Sequence, residues 1–185
     1  MATRTLLRKH IATAWADTLR EAYSEQLINS ERGLQVHFCH QLLKQFSDVN
    51  RRIFVEPCFG DHDGTRSPDI IVCHTQSIIG VIELKYYPRG RPDYKKDLQT
   101  LTWFSTRDDV ELRNERYLGP KRDSLKRYNL TADAVLCWAG VYKGPGRLDV
   151  ESHAEHLARS FMCLHAVTSL NEPPTLWSSE RNHDF

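Results

Sequence analysis

Apolar residues recur at helical spacing from Arg4 to about Ile28, at Leu7, Ile11, Ala14/Trp15, Leu19, Ala22/Tyr23 and Leu27. This predicts one or two amphipathic helices. Asn29-Ser30 interrupts the run and offers an N-cap for a second helix over Glu31–Phe46, whose stripe is Leu34, Phe38, Leu42 and Phe46. The pattern then changes period. Arg52–Phe59 reads as a strand, at an edge because of Pro57, and residues 60–66 read as a turn-rich loop. Ile70–Cys73 and Ile78–Ile82 are β-branched runs around Thr75-Gln76-Ser77, so they read as a hairpin.

A basic, aromatic loop follows at Tyr86–Pro92, and Asp93 caps a helix over Tyr94–Phe104. Residues 105–132 are charged and show no clear period. Asp133–Tyr142 is almost wholly apolar, as a strand buried on both faces would be. Val150–Met162 carries a helical stripe at Val150, Ala154, Leu157 and Phe161, a short strand is expected at Leu164–Leu170, and the tail from Asn171 is polar and extended. The expected division is a helical extension over 1–28, a domain over 29–170 and a tail over 171–185.

The hairpin places chemistry at one end. With its turn centred on Gln76, positions 69 and 83 are each seven residues from the centre and oppose one another. Opposed residues point the same way, with Cβ atoms roughly 4.5–5.5 Å apart. Asp69 and Glu83 then project side by side, and Lys85 shares their face because strand side chains alternate. Two carboxylates so close repel unless a cation lies between them, and hard divalent ions such as Mg²⁺ are held by one or two carboxylates, water and phosphate. A lysine there can orient a metal-bound water or neutralise a phosphate. A capping role for Asp69 at the strand end is the structural alternative.

Pro68-Asp69 followed across a hairpin by Glu83-x-Lys85 resembles the PD-(D/E)xK nuclease superfamily. The resemblance implies an α/β fold with a restriction-endonuclease-like αβββαβ core, a mixed central sheet flanked by helices, here with an N-terminal helical extension. It implies Mg²⁺-dependent hydrolysis of phosphodiester bonds in nucleic acid, with DNA as the first expectation and RNA left open, and with Mn²⁺ as a substitute. Asp69, Glu83 and the backbone carbonyl of Leu84 are the implied metal ligands, and Lys85 is the residue that activates water. Glu31, on the stripe face of its helix with Leu34, Phe38 and Leu42, matches the acidic residue that the family's first core helix brings to the metals. Gln99 resembles the auxiliary Q-x-x-x-Y element, with Trp103 where tyrosine is usual, and is expected to position phosphate together with Lys96. The alternatives are a nuclease-fold protein that binds nucleic acid or protein without cutting, and an unrelated α/β protein.

Composition narrows this only slightly. The chain has 185 residues, 40% hydrophobic and 26% charged, with a formal net charge of +1, so any phosphate-binding surface must be a local patch. Arg89, Arg91, Lys95 and Lys96 form one candidate patch beside Tyr86 and Tyr87. Arg113–Arg127 forms another, with six basic residues against two acidic ones. The five cysteines are widely spaced without a C-x-x-C pair, which suggests neither a zinc ribbon nor a disulfide framework. His37/His40 are expected to be structural, and Asp61-x-Asp63-Gly64 has no glutamate at the spacing of a calcium loop. Met1–Lys9 has too short an apolar core for a signal peptide, and no run approaches the ~18 apolar residues of a membrane span. A cytoplasmic protein is expected, with nucleic acid as partner and no membrane; a homodimer is left open.

Overall fold

The computed structural model describes residues 2–47, 49–61, 64–114, 117–118, 121–122, 126–170 and 172–180. Helix α1 (Ala2–Asp17) runs into a π-helical turn over Thr18–Tyr23, and α2 covers Glu31–Gln45. The Ser30 side chain accepts from Gly33 N at 3.0 Å, the expected N-cap. Strands β1 (Arg51–Val55), β2 (Phe59–Asp61), β3 (Gly64–Arg66), β4 (Ile70–His74) and β5 (Ser77–Tyr87) precede α3 (Lys95–Ser105). Then come β6 (Glu111–Asn114), β7 (Tyr117–Leu118), β8 (Lys121–Arg122), β9 (Lys126–Lys143), α4 (Val150–His153), a 3₁₀ turn over Glu155–Ser160, β10 (Phe161–Ser169) and β11 (Glu172–Ser178).

The main sheet has the order β1-β4-β5-β9-β10-β11, with β6 paired to the early part of β9. β1, β4 and β5 form an antiparallel meander, β5, β9 and β10 are parallel, and β11 returns antiparallel at the far edge. The sheet is therefore mixed, and each face has its own core. Leu7, Ile11, Trp15, Leu34, Phe38 and Leu42 of α1 and α2 pack on Ile70, Val72, Ile82 and Leu84. On the other face, Leu98, Leu101 and Phe104 of α3 pack with Ile71, Cys73, Val81 and Trp138. Adjacent strand residues divide between the two faces, so both sides are apolar and the runs read as continuous.

Four sequence expectations need correction. β9 starts at Lys126 rather than Asp133, because its polar first part pairs with β6 as a hairpin: Glu111↔Asn129 and Arg113↔Arg127. The helix expected over Val150–Met162 stops after one α turn and a 3₁₀ turn, where Ala158 takes φ 47°, and Phe161 already begins β10. Glu172–Ser178 of the tail form a seven-residue edge strand, whose Pro173-Pro174 falls where the β10–β11 register shifts. Residues 60–66, expected as loop, supply most of the β2–β3 hairpin. His62 and Asp63 of the Asp61-x-Asp63 turn lie outside the described residues, as do Glu115, Arg116 and Asp123 of the Arg113–Arg127 run. No described helix is long and apolar enough to cross a membrane.

Candidate active site

The β4–β5 register is Ile70↔Ile82, Ile71↔Val81 and Val72↔Gly80, then Cys73↔Ile78 and His74↔Ser77 after a one-residue bulge. The turn is two residues, Thr75-Gln76, with Thr75 at φ 55°. The extra residue in β5 restores the symmetry about Gln76, and the same register sets Asp69 opposite Glu83. Asp69 is firmly anchored. Its carbonyl accepts from Gln35 Nε2 and Glu56 N, both at 3.0 Å, and its Oδ2 accepts from Leu84 N at 2.6 Å. The side chain thus takes up an N–H beyond the end of the β4 ladder. Leu84 itself points its side chain into the α1/α2 core.

Glu83 is buried at 6% exposure, beside the Asp69 carboxyl and within hydrogen-bonding reach of Thr100. Its Oε1 has no hydrogen-bond partner. Burial first, then Asp69 and Asp97, push the Glu83 carboxyl up to about 10. Burial also raises Asp69, to about 6, although the Leu84 N–H opposes that shift. Without a cation, the coupled pair therefore keeps a proton to higher pH than two free carboxyls would. The proton relieves the repulsion for which sequence alone suggested a metal.

Lys85 shares this face, with Nζ 3.2 Å from Asp97 Oδ1 and 3.9 Å from Glu31 Oε2. Burial would lower its pKa, but Asp97 and then Glu31 outweigh it and the net shift is upward. Lys85 is consequently a held ammonium. Asp97 is 5% exposed and also accepts from Trp138 Nε1 at 3.1 Å. Burial raises its pKa while Lys85 and Trp138 oppose the rise. The Trp138 ring lies over Gly140, where a Cβ would sit 2.2 Å from Trp138 Cη2. Gly140 is the β9 partner of Lys85, so a glycine there lets the indole lie flat and reach Asp97.

Glu31 does not lie on the buried face that its stripe position suggests. Its side chain is 46% exposed at the N-terminus of α2, where Oε2 accepts from Tyr86 N at 3.1 Å. Tyr86 Oη in turn donates to Ile28 O at 2.9 Å. Gln99 and Lys96 are exposed and border the same cleft. Trp103 turns away, packing against Phe59 and Phe104, with Arg107 4.7 Å above its ring.

Glu31, Asp69, Glu83, Lys85, Asp97 and Gln99 line a cleft of about 390 Å³, with Arg66 of β3 and Lys96 among its other walls. Arg89, Arg91 and Lys95 are exposed but do not line it; their loop is tied to the end of β9 by Lys143 N donating to Gly90 O at 3.0 Å. Sequence reading missed two residues of the cleft, Asp97 and Arg66, and Gln35, which anchors Asp69. Asp97 lies on the buried stripe with Leu101 and Phe104, the signal that drew attention to Glu31. Gln35 was hidden among apolar neighbours, and Arg66 in a stretch read as loop. Comparisons with family models, with curated proteins and with solved structures give no match to this chain.

Proposed function

We propose that this cleft hydrolyses phosphodiester bonds in nucleic acid, DNA in the first instance, on a restriction-endonuclease-like αβββαβ core formed by α2, β1, β4, β5, α3 and β9. The observation that carries the reading is Asp69 opposite Glu83 with Lys85 on the same face, at the floor of an open cleft with basic walls. The donor set fits a hard divalent cation, Mg²⁺ or Mn²⁺. Both candidate ligands offer carboxylate oxygen, and Glu83 Oε1 is buried without a partner. Asp69 and Glu83 would hold the ion, with the Leu84 carbonyl and Glu31 as further oxygen donors. A bound ion supplies Lewis-acid polarisation of the phosphoryl oxygen and a water of lowered pKa.

The remaining work falls to the chain. Lys85, kept protonated by Asp97 and Glu31, presents a fixed positive charge to a non-bridging phosphate oxygen and donates a hydrogen bond that orients the attacking water. It acts as a donor rather than a proton acceptor because its pKa is raised. Arg66 and Lys96 meet the backbone on either side, and Gln99 offers an amide at the rim. Metal affinity should rise with pH, because an ion must displace the proton shared by Asp69 and Glu83.

The test is single-turnover cleavage of labelled duplex and single-stranded DNA in Mg²⁺, with binding measured in parallel. Asp69→Asn should abolish cleavage while retaining binding. Lys85→Met should slow it by about two to four orders of magnitude, the usual contribution of a positioned acid–base group. Binding without cleavage by the wild type would favour a non-cutting binding module, and cleavage by Asp69→Asn at the wild-type rate would refute the site.

A further inference from the structure

We propose that Glu151, Cys163 and His165 hold a zinc ion at a second site, independent of the carboxylate cleft. Among the described residues, this is the one place where three His, Cys, Asp or Glu ligand atoms lie within 4.8 Å of one another. Cys163 and His165 are alternate residues of β10, fully buried, and their side chains reach the same point from one face. Glu151 comes from the first turn of α4.

His165 Nε2 is 3.0 Å from Cys163 Sγ and 3.6 Å from Glu151 Oε2. Tetrahedral zinc, bonded to nitrogen and oxygen near 2.1 Å and to sulfur near 2.3 Å, sets its ligand atoms roughly 3.4–3.6 Å apart. His165 and Glu151 therefore stand at the separation coordination needs, Cys163 and His165 must part by about half an ångström, and all three ligand atoms lie within 4.8 Å of one another.

The surroundings orient these donors. His165 Nδ1 is 2.7 Å from Tyr142 Oη, which accepts from Leu148 N at 2.7 Å. A ligating histidine typically gives its second ring N–H to such an oxygen, which fixes the ring and points the other nitrogen at the metal. Arg147 Nη1 grips Glu151 Oε1 at 3.1 Å, leaving Oε2 turned inward. Thiolate and imidazole favour Zn²⁺ over Mg²⁺. Glu151 is 29% exposed, so an ion has a route in and water can fill the fourth position.

Such an ion would tie α4 and the loop before it to β10. His165 packs at a tilt against Trp138, ring centroids 5.5 Å apart, and Trp138 donates to Asp97, so the ion would stiffen the support behind Asp97 without entering the cleft. The rival arrangement is metal-free, with Tyr142 O–H donating to Nδ1 and Nε2–H shared between Cys163 and Glu151.

The experiment titrates the metal-stripped full chain with Co²⁺ and then Zn²⁺. A thiolate-to-cobalt charge-transfer band should appear, saturate with a single ion, vanish on adding Zn²⁺ and survive excess Mg²⁺. Cys58→Ser and Asp69→Asn should keep the band, and Cys163→Ser should lose it. Should Cys163→Ser not fold, Glu151→Gln, at a partly exposed position, decides: its Co²⁺ affinity should drop at least about tenfold. No thiolate band in the wild type, a band that persists in folded Cys163→Ser, or unchanged affinity in Glu151→Gln would overturn the site.

Discussion

Glu83 is the residue on which the charge balance of the cleft turns. In the folded chain its carboxyl is pushed from the ordinary 4.5 up to about 10, chiefly by burial. Between those values the unfolded chain gives up this proton and the folded chain keeps it. The contribution of this carboxyl to the stability of the metal-free protein should therefore be full below pH 4.5 and fall as pH rises toward about 10. Asp69 adds the same sign over a narrower window, up to about 6. Glu83→Gln, which keeps the shape but cannot ionise, should raise the metal-free thermal midpoint near pH 8 and flatten its pH dependence. Calorimetry of both proteins from pH 5 to about 9 checks this; equal slopes would mean that Glu83 is ionised in the fold.

Elements put these residues in place, and the strand register does most of it. β9 positions Trp138 beside Glu83 and Gly140 beside Lys85. Gly140→Ala should force the Trp138 ring away and cost about 1–3 kcal/mol, as overpacking of a tight core does. Denaturant titration measures the loss. A variant as stable as the wild type would show that Trp138 has room to move. The helix α2 and the β4–β5 hairpin were legible in sequence because their apolar periods are clean and their ends are marked by Ser30 and by the Thr75-Gln76 turn. The turn was misjudged by one residue, and the bulge in β5 made up the difference. The polar half of β9 and all of β11 were illegible for a physical reason. A strand that pairs with an outlying hairpin, or sits at an edge with two prolines, carries no core alternation. The placing of Asp69, Glu83 and Lys85 together was legible from the hairpin register. Asp97, which holds Lys85, was passed over because it follows Lys95-Lys96 and belongs to no motif, although it shares the buried side of α3 with Leu101 and Phe104.

At the scale of the whole molecule, the N-terminal helices read as an extension form part of the core. Leu7, Ile11 and Trp15 fill the α1/α2 face of the sheet. Arg8 pairs with Glu180 and donates to the carbonyls of Arg159 and Phe161 at 2.6 and 2.9 Å, joining α1 to the last strands. Removing residues 1–28 would take Leu7, Ile11 and Trp15 out of the core that they share with Val135, Cys137 and Ala139 of β9 and Met162 and Leu164 of β10, and leave Glu180 without its guanidinium. The truncated chain should lose its cooperative unfolding transition; a sharp transition at the full-length midpoint would contradict this account of the core.

The proposed function rests on Asp69 and Glu83 holding a divalent metal at the floor of the cleft. Anomalous diffraction from a crystal soaked in Mn²⁺ tests it most directly. A peak is expected between the Asp69 and Glu83 carboxylates, within reach of the Leu84 carbonyl, and none there in Asp69→Asn. An ordered cleft with no peak between these carboxylates, or a peak unchanged in Asp69→Asn, would contradict it.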